Sequence, residues 1–176
     1  MIHGRFQPFH NGHLAYLRAA AARVERLLVG ITNPDRGRMR VEESDPRRHL
    51  PEENPFTYTE RLEMVEAVLA DEGIEPALVI PFPVSDPELW LDYVPEGTVH
   101  FLRVFDDWGR AKVERLRTAG YRVVVLNEGA EKAVSGRHVR ELMRRGGEWE
   151  RLVPPAVARV LRSLPAGRVR DLRLAL

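Results

Sequence analysis

Short apolar runs alternate along this chain with amphipathic stretches of helical period, and that alternation limits the folds open to it. Ile2 starts a first apolar stub; Leu27 to Thr32, Ala77 to Phe82 and Val99 to Val104 read as buried strands. Leu14, Leu17, Ala21, Val24 and Leu28 mark one face of a helix. Thr57 and Glu60 form a capping-box pattern before a helix carrying Leu62, Val65 and Leu69. A helix near Asp107 to Ala119 precedes a strand from Arg122 to Leu126. Ser135 stands at the N-cap of a helix reaching Arg145, and Pro155 opens a last helix ending near Leu164. Strands alternating with helices require right-handed crossovers and a parallel sheet covered on both faces. The expected fold is therefore α/β, a Rossmann-like doubly wound parallel sheet forming one domain over residues 1–176. Ligands of such sheets bind outside the carboxyl ends of the strands.

Composition narrows the function. Hydrophobic residues make up 44% of the chain, enough for a packed core rather than a disordered one. There are no cysteines, so neither disulfides nor thiolate metal sites are open to it, which fits a reducing compartment. No run of eighteen apolar residues predicts a membrane span, and the polar start does not read as a signal peptide. The expectation is a cytoplasmic protein with no membrane partner. A net charge of +1 argues against general nucleic-acid binding. Oligomeric state is left open, a homo-oligomer included. Only Lys112 and Lys132 are lysines among 27 basic residues, and arginine is a planar, bidentate binder of carboxylate and phosphate.

The stretch from Gly4 to His13, GRFQPFHNGH, carries the chemistry. His10 and His13 flank Gly12 where a strand gives way to a helix. Gly4 and Gly12 let backbone approach a bulky anion, and the helix N-terminus offers unpaired N–H groups and partial positive charge. Two histidines at this spacing before an amphipathic helix can both donate to phosphate oxygens. A capping serine, Ser135, with Gly136 behind it begins a second helix start. By its residues alone it reads as a plain N-cap.

These residues resemble the nucleotidyltransferase superfamily that shares the His-x-Gly-His motif with class I aminoacyl-tRNA synthetases. The match to archaeal-type nicotinamide mononucleotide adenylyltransferases is nearly verbatim over the first motif. It continues in Asn54-Pro55-Phe56-Thr57, Glu60 to Met64, Trp90 with Tyr93-Val94, Ser135 to Arg140 and Trp149 to Pro154. The resemblance implies transfer of a nucleoside monophosphate from a nucleoside triphosphate, CTP or ATP, to a small anionic acceptor, with release of pyrophosphate. It implies that His10 and His13 stabilise charge at the reacting phosphate, and that Arg5 and Arg140 neutralise the triphosphate tail. Gly4, Phe6, Gly12, Ser135 and Gly136 would complete the nucleotide site. Mg²⁺ is expected to ride on the nucleotide phosphates, with no metal site of the protein's own.

Three departures bear on the substrate. The family's short loop after the second strand is replaced by Ile31-Thr32-Asn33-Pro34-Asp35 and a charged segment to Asn54, which reads as a functional lid or as a disordered insertion. Phe105, Asp106, Asp107 and Trp108 replace the Thr-Gly-Asn-type turn, and Arg137 replaces a motif threonine. These positions recognise base and acceptor in the family. Extra arginine there suits a compact polyanion, with Arg137, Arg36, Arg38 and Arg40 as acceptor-binding residues; the loop arginines, which also include Arg47 and Arg48, equally fit a solvated loop. In the adenylyltransferases an aromatic in the place of Trp90 and Tyr93 stacks on the nicotinamide ring; large side chains here equally fit a core. The chain looks most like the phosphonoformate cytidylyltransferase branch, of antibiotic biosynthesis. A nicotinamide mononucleotide adenylyltransferase stands second, and a non-catalytic nucleotide sensor third.

Overall fold

The computed structural model describes residues 1–128, 133–165 and 168; Lys132 lies outside them. β1 (Ile2–Gly4), β2 (Leu27–Thr32) and β3 (Ala77–Phe82) pair in parallel, as do β4 (Val99–Val104) and β5 (Arg122–Glu128). The two groups meet at β1 and β4, where the Phe101 N–H donates to the Met1 carbonyl at 2.9 Å. The spatial order is thus β3-β2-β1-β4-β5. Parallel neighbours cannot be joined by tight turns. The connections run instead through α1 (Asn11–Ala21), α2 (Tyr58–Glu72) and, between β4 and β5, α4 (Asp107–Thr118); α3 (Trp90–Tyr93) is a single turn on the way to β4. Two further helices follow the sheet, α5 (Gly136–Arg145) and α6 (Pro155–Ser163).

Strand alternation builds two cores. Ile2, Val29, Ile31 and Phe101 face a layer with Leu17 of α1, Met64 and Val68 of α2, Val139 of α5 and Val157 of α6. Phe82, Leu102 and Val104 face the other layer, with Trp90, Trp108, Val113 and Leu116. The doubly wound sheet expected from the apolar pattern is present. One helix end differs: α1 stops at Ala21, short of the predicted stripe through Val24 and Leu28. Backbone bonds from Arg23 to Ala20 and from Val24 to Ala21 turn the chain there, because β2 must begin at Leu27 beside Ala77. Among the described residues no helix is long and apolar enough to cross a membrane.

The long segment after β2 packs onto the body. It contains two 3₁₀ turns, Arg36–Arg38 and Pro51–Glu53. Buried Asn54 donates to the carbonyls of Arg48 (2.7 Å) and Leu50 (2.9 Å). Glu42 takes a charge-assisted bond from Arg115 of α4 (2.7 Å) and another from Ser85 (2.6 Å).

Arg61 of α2 ties this segment to the sheet. Its side chain is fully buried. Its guanidinium donates to the carbonyls of Arg5 (3.0 Å), Thr32 (2.7 Å), Asn33 (2.8 Å) and Thr57 (3.1 Å). One side chain thus clamps the ends of β1 and β2 to the start of α2. Burial pulls its pKa down to about 10, so it stays charged at neutral pH. Its removal orphans four carbonyls. Arg61→Leu should cost about 3 kcal/mol or more, lowering Tm by about 6–12 °C in a thermal melt. Arg61→Lys should recover little, because an ammonium lacks the planar fork.

A second consequence of burial concerns acid. His3 and His100 are 2% and 0% exposed, with ring centroids 5.6 Å apart and no partner for any of their four ring nitrogens among the described residues. Desolvation pushes His3 well below its ordinary range and His100 down to about 3. The unfolded chain binds these protons near pH 6.5 and the native chain does not. Stability must therefore fall as pH drops from about 6.5 towards 3, by about 1.4 kcal/mol per pH unit for each histidine. Urea melts between pH 7 and 4 should show it, and His100→Gln should shed about one proton of that slope.

Candidate active site

The strand order reverses between β1 and β4, and a cavity of about 670 Å³ opens outside their carboxyl ends. Its rim is built by four pieces of chain: the β1–α1 loop, residues 44–48 with Glu53, the β4–α4 corner and the start of α5. Six arginines and Lys112 line it against three carboxylates, Asp45, Glu53 and Asp106, although the whole chain carries a net charge of only +1.

The β1–α1 loop enters with Phe6 in a left-handed conformation at φ 52°. A non-glycine residue there costs on the order of 1 kcal/mol. Phe6 is held by burial, packed on Phe9 (5.3 Å between ring centroids) and edge-on to His13 (5.0 Å). His10 is the N-cap of α1, and its N–H donates to His13 Nδ1 at 3.3 Å. An imidazole nitrogen that accepts carries no proton, so the His13 proton sits on Nε2 and can be donated. The two rings stack at 3.7 Å. Gly12 makes room for this, because a Cβ there would lie 3.1 Å from the His10 ring.

The start of α5 closes on the same loop. Ser135 Oγ accepts from the His138 N–H at 3.2 Å, so it caps the helix while lining the cavity. A Cβ on Gly136 would stand 2.6 Å from the Gln7 carbonyl, an approach only glycine allows. Arg140 is 4% exposed; it donates to the Gln7 carbonyl at 2.6 Å and pairs with Glu53. Arg137 grips the other oxygen of Glu53 with two nitrogens, at 2.9 and 2.6 Å. The Gln7 amide in turn pairs with the Phe56 backbone, donating at 3.0 Å and accepting at 2.8 Å.

Glu53 is thus the internal counter-ion of the arginines that converge on the motif. Burial pushes its carboxyl up, but Arg140 and Arg137 outweigh this and hold it below the ordinary range. Any triphosphate using those arginines must compete with Glu53 for them. Arg5 reaches across the rim to donate to the Arg48 carbonyl at 3.3 Å. On the far side Arg103 donates to the Gly12 carbonyl (2.7 Å) and to Asn127 (3.2 Å) and lies over Phe105. Asp106 caps α4 through Gly109 at 2.9 Å, and Trp108 forms buried wall.

The structure gathers His10, His13, Arg140, Gly4, Arg5, Phe6, Gly12, Ser135, Gly136 and Arg137 around one cavity. Phe6 takes part as packing beneath His13. Arg140 is more deeply held than a helix-surface arginine would be. The remaining acceptor candidates stand outside the lining. Arg36 donates to the Pro55 carbonyl (3.1 Å), Arg38 is exposed beside Asp35, and Arg40 pairs with Asp86 (2.6 Å). Trp90 is 1% exposed in the second core and donates to the Pro83 carbonyl at 2.9 Å; Tyr93, in the same helical turn, also lies off the cavity. The packing favours core over ring-stacking for Trp90, because Phe82, Val94 and Tyr121 enclose it. Ile31 to Asp35 lie off the lining as well. Four lining residues carried no individual signal: Arg47, Arg48, Glu53 and Arg103. The first three sit in a charged run in which no single charge stands out, and Arg103 sits in an apolar strand.

Residues 1–142 match the model of the family described as cytidylyltransferase-like. Phosphonoformate cytidylyltransferase of Streptomyces viridochromogenes is 49% identical over 164 residues, covering 92% of this chain and 89% of that protein. The nicotinamide-nucleotide adenylyltransferase of Picrophilus torridus is 33% identical over 174 residues (97% and 95%), and that of Thermococcus onnurineus is 32% identical over 164 residues (92% and 80%). In fold, the chain resembles a bifunctional NMN adenylyltransferase/ADP ribose pyrophosphatase from Francisella tularensis, with a TM-score of 0.67 at 16% identity. The alignment covers 98% of this chain and 51% of that one, so the chain spans about half its length. With its histidine pair and arginine-lined cleft at the switch point of a doubly wound sheet, the chain belongs to the cytidylyltransferase-like family and is a nucleotidyltransferase.

Proposed function

We propose that the protein transfers the cytidylyl group of CTP to a small phosphonate, of which phosphonoformate is the leading candidate, and releases pyrophosphate. The observation that carries this reading is the concentration of guanidinium groups in a small cavity beside the stacked histidines. A compact polyanion has little apolar surface to bury and must be held by charge. The 49% identity to a phosphonoformate cytidylyltransferase supports the same choice. The adenylyltransferase alternative loses its ring-stacking support, since Trp90 is core.

In this reading an acceptor oxyanion attacks the α-phosphorus in line. The new P–O bond forms as the bond to the bridging α–β oxygen breaks, and the electron pair leaves on pyrophosphate. No covalent enzyme intermediate is needed, so positioning and charge stabilisation supply the acceleration. His13 Nε2–H donates to the reacting phosphate, with His10 stacked behind it. Arg140 exchanges Glu53 for the β- and γ-phosphates, Arg137 releases the same carboxylate to turn to the acceptor, and Arg5 neutralises charge along the tail. The cavity's donors are mainly cationic, which suits phosphate oxygens. Among the described residues no group of three His, Asp or Glu could cage a metal. Mg²⁺ bound through the triphosphate oxygens would supply further charge neutralisation there. The same reading places the enzyme in the cytoplasm, in the assembly of phosphonate antibiotics.

A pyrophosphate-release screen of CTP and ATP against phosphonoformate, other phosphonates and nicotinamide mononucleotide tests the reading. CTP should exceed ATP by at least about tenfold in kcat/KM, about 1.4 kcal/mol of differential binding. Efficient dinucleotide synthesis from ATP, with negligible use of CTP, would refute it. His13→Ala should lower turnover by about two to four orders of magnitude. His10→Ala should do the same, with melting curves recorded for both variants; near-wild-type turnover in both would remove the assignment. Arg140→Ala should weaken binding of CTP far more than of CMP, measured by calorimetry, and an equal loss for both would place Arg140 in the scaffold alone.

A further inference from the structure

The segment after β2 carries a buried cationic residue whose guanidinium is poorly matched by hydrogen bonds within the chain. Arg48 is only 8% exposed and lines the cavity. Its Nε has no partner among the described residues, and the one hydrogen bond of its guanidinium is a long 3.5 Å contact from Nη2 to Thr32 Oγ1. The other deeply buried arginines are matched: Arg61 by four carbonyls, Arg140 by Glu53 and the Gln7 carbonyl. What holds Arg48 is a ring. Its guanidinium carbon lies 4.4 Å over Trp108, whose indole also contacts Arg115 at 5.2 Å. Stacking fixes the plane of a guanidinium and satisfies none of its N–H groups.

Burying a cation without a bonded counter-ion is strongly unfavourable, and a cation–π contact offsets only part of that. Burial, and then the neighbouring charge of Arg5, pull the Arg48 pKa down to about 9. Arg5 belongs to the phosphate motif and donates to the Arg48 carbonyl. Two like charges are therefore held close beside the site of phosphoryl chemistry, one of them short of hydrogen-bond partners and only partly offset by Asp45, Glu42 and Asp106. An anion bridging them relieves desolvation and repulsion together.

We infer that Arg48, stacked on Trp108 and facing Arg5, is the acceptor-binding and specificity-determining residue of this segment, and that it takes the oxyanion group of a compact polyanion bidentately. The inference rests on the transferase reading above and refines it: Arg48 takes the role that the sequence offered to Arg36, Arg38 and Arg40.

Initial rates are to be measured for wild type, Arg48→Met, Arg48→Lys and Trp108→Leu, varying CTP and phosphonoformate separately, with melting curves for each variant. Arg48→Met should raise the phosphonoformate KM about 30-fold or more and leave the CTP KM within about threefold. Arg48→Lys should recover only part of the loss, since an ammonium cannot bind two oxygens in a plane. Trp108→Leu should raise the same KM by a smaller factor. In parallel, phosphonoformate and inorganic phosphate are titrated calorimetrically into wild type and Arg48→Lys without nucleotide, which gives a readout if Arg48→Met does not fold. Weaker anion binding in Arg48→Lys supports the inference. Unchanged binding, a CTP KM that rises in step with the acceptor KM, or a wild type that binds neither anion overturns it. If ATP proves to be the nucleotide while Arg48 variants still lose acceptor affinity, the cytidylyl reading fails and the role of Arg48 stands.

Discussion

Arg61 is the constraint on which the rest of the site depends. A buried guanidinium is tolerable only when its donors are matched, and here the matching carbonyls come from Arg5, Thr32, Asn33 and Thr57. The end of β1, the end of β2 and the start of α2 must therefore arrive at one point. Once they do, the β1–α1 loop has a fixed base and the segment after β2 has a fixed origin at Asn33, itself in a left-handed conformation. The return of that segment is fixed by Asn54, and Gln7 ties it to the β1–α1 loop through Phe56.

On this frame the cleft sets six arginines and Lys112 against three carboxylates, of which Glu53 is bonded to the two arginines of α5. Glu53 satisfies Arg137 and Arg140 in the absence of substrate and keeps them at the mouth of α5. Such preorganisation means that little rearrangement is required when charge develops on a phosphate. It also sets a threshold, because a ligand must offer the arginines more than one carboxylate does. A triphosphate, with several charges, meets that condition more readily than a monophosphate.

The elements themselves were largely legible. The Thr57–Glu60 capping box, the Ser135 N-cap and the strand runs depend on neighbours in sequence, and all form as read. The α1 boundary was misread because an apolar stripe cannot tell that Val24 belongs to a turn and Leu28 to a strand. In the site, the Gly4–His13 motif was legible because its parts lie within ten residues of one another. Trp90 and the loop arginines were ambiguous because a side chain's destination depends on what packs against it. Within one charged segment, Arg40 finds Asp86, Arg36 finds the Pro55 carbonyl, and Arg48 finds Trp108.

The sequence by itself determined the alternation of strands and helices, the helix caps and the histidine motif, since propensity, period and capping act over a few residues. Only the tertiary structure decided that Glu53, 87 residues from Arg140, would be its counter-ion, that Gly136 must be glycine to meet the Gln7 carbonyl, and that Arg48 rather than Arg36, Arg38 or Arg40 would face the cavity. Those outcomes follow from desolvation and close packing between distant segments. A buried charge takes the partner that the fold brings within a few ångströms, and that partner is not specified by any local pattern.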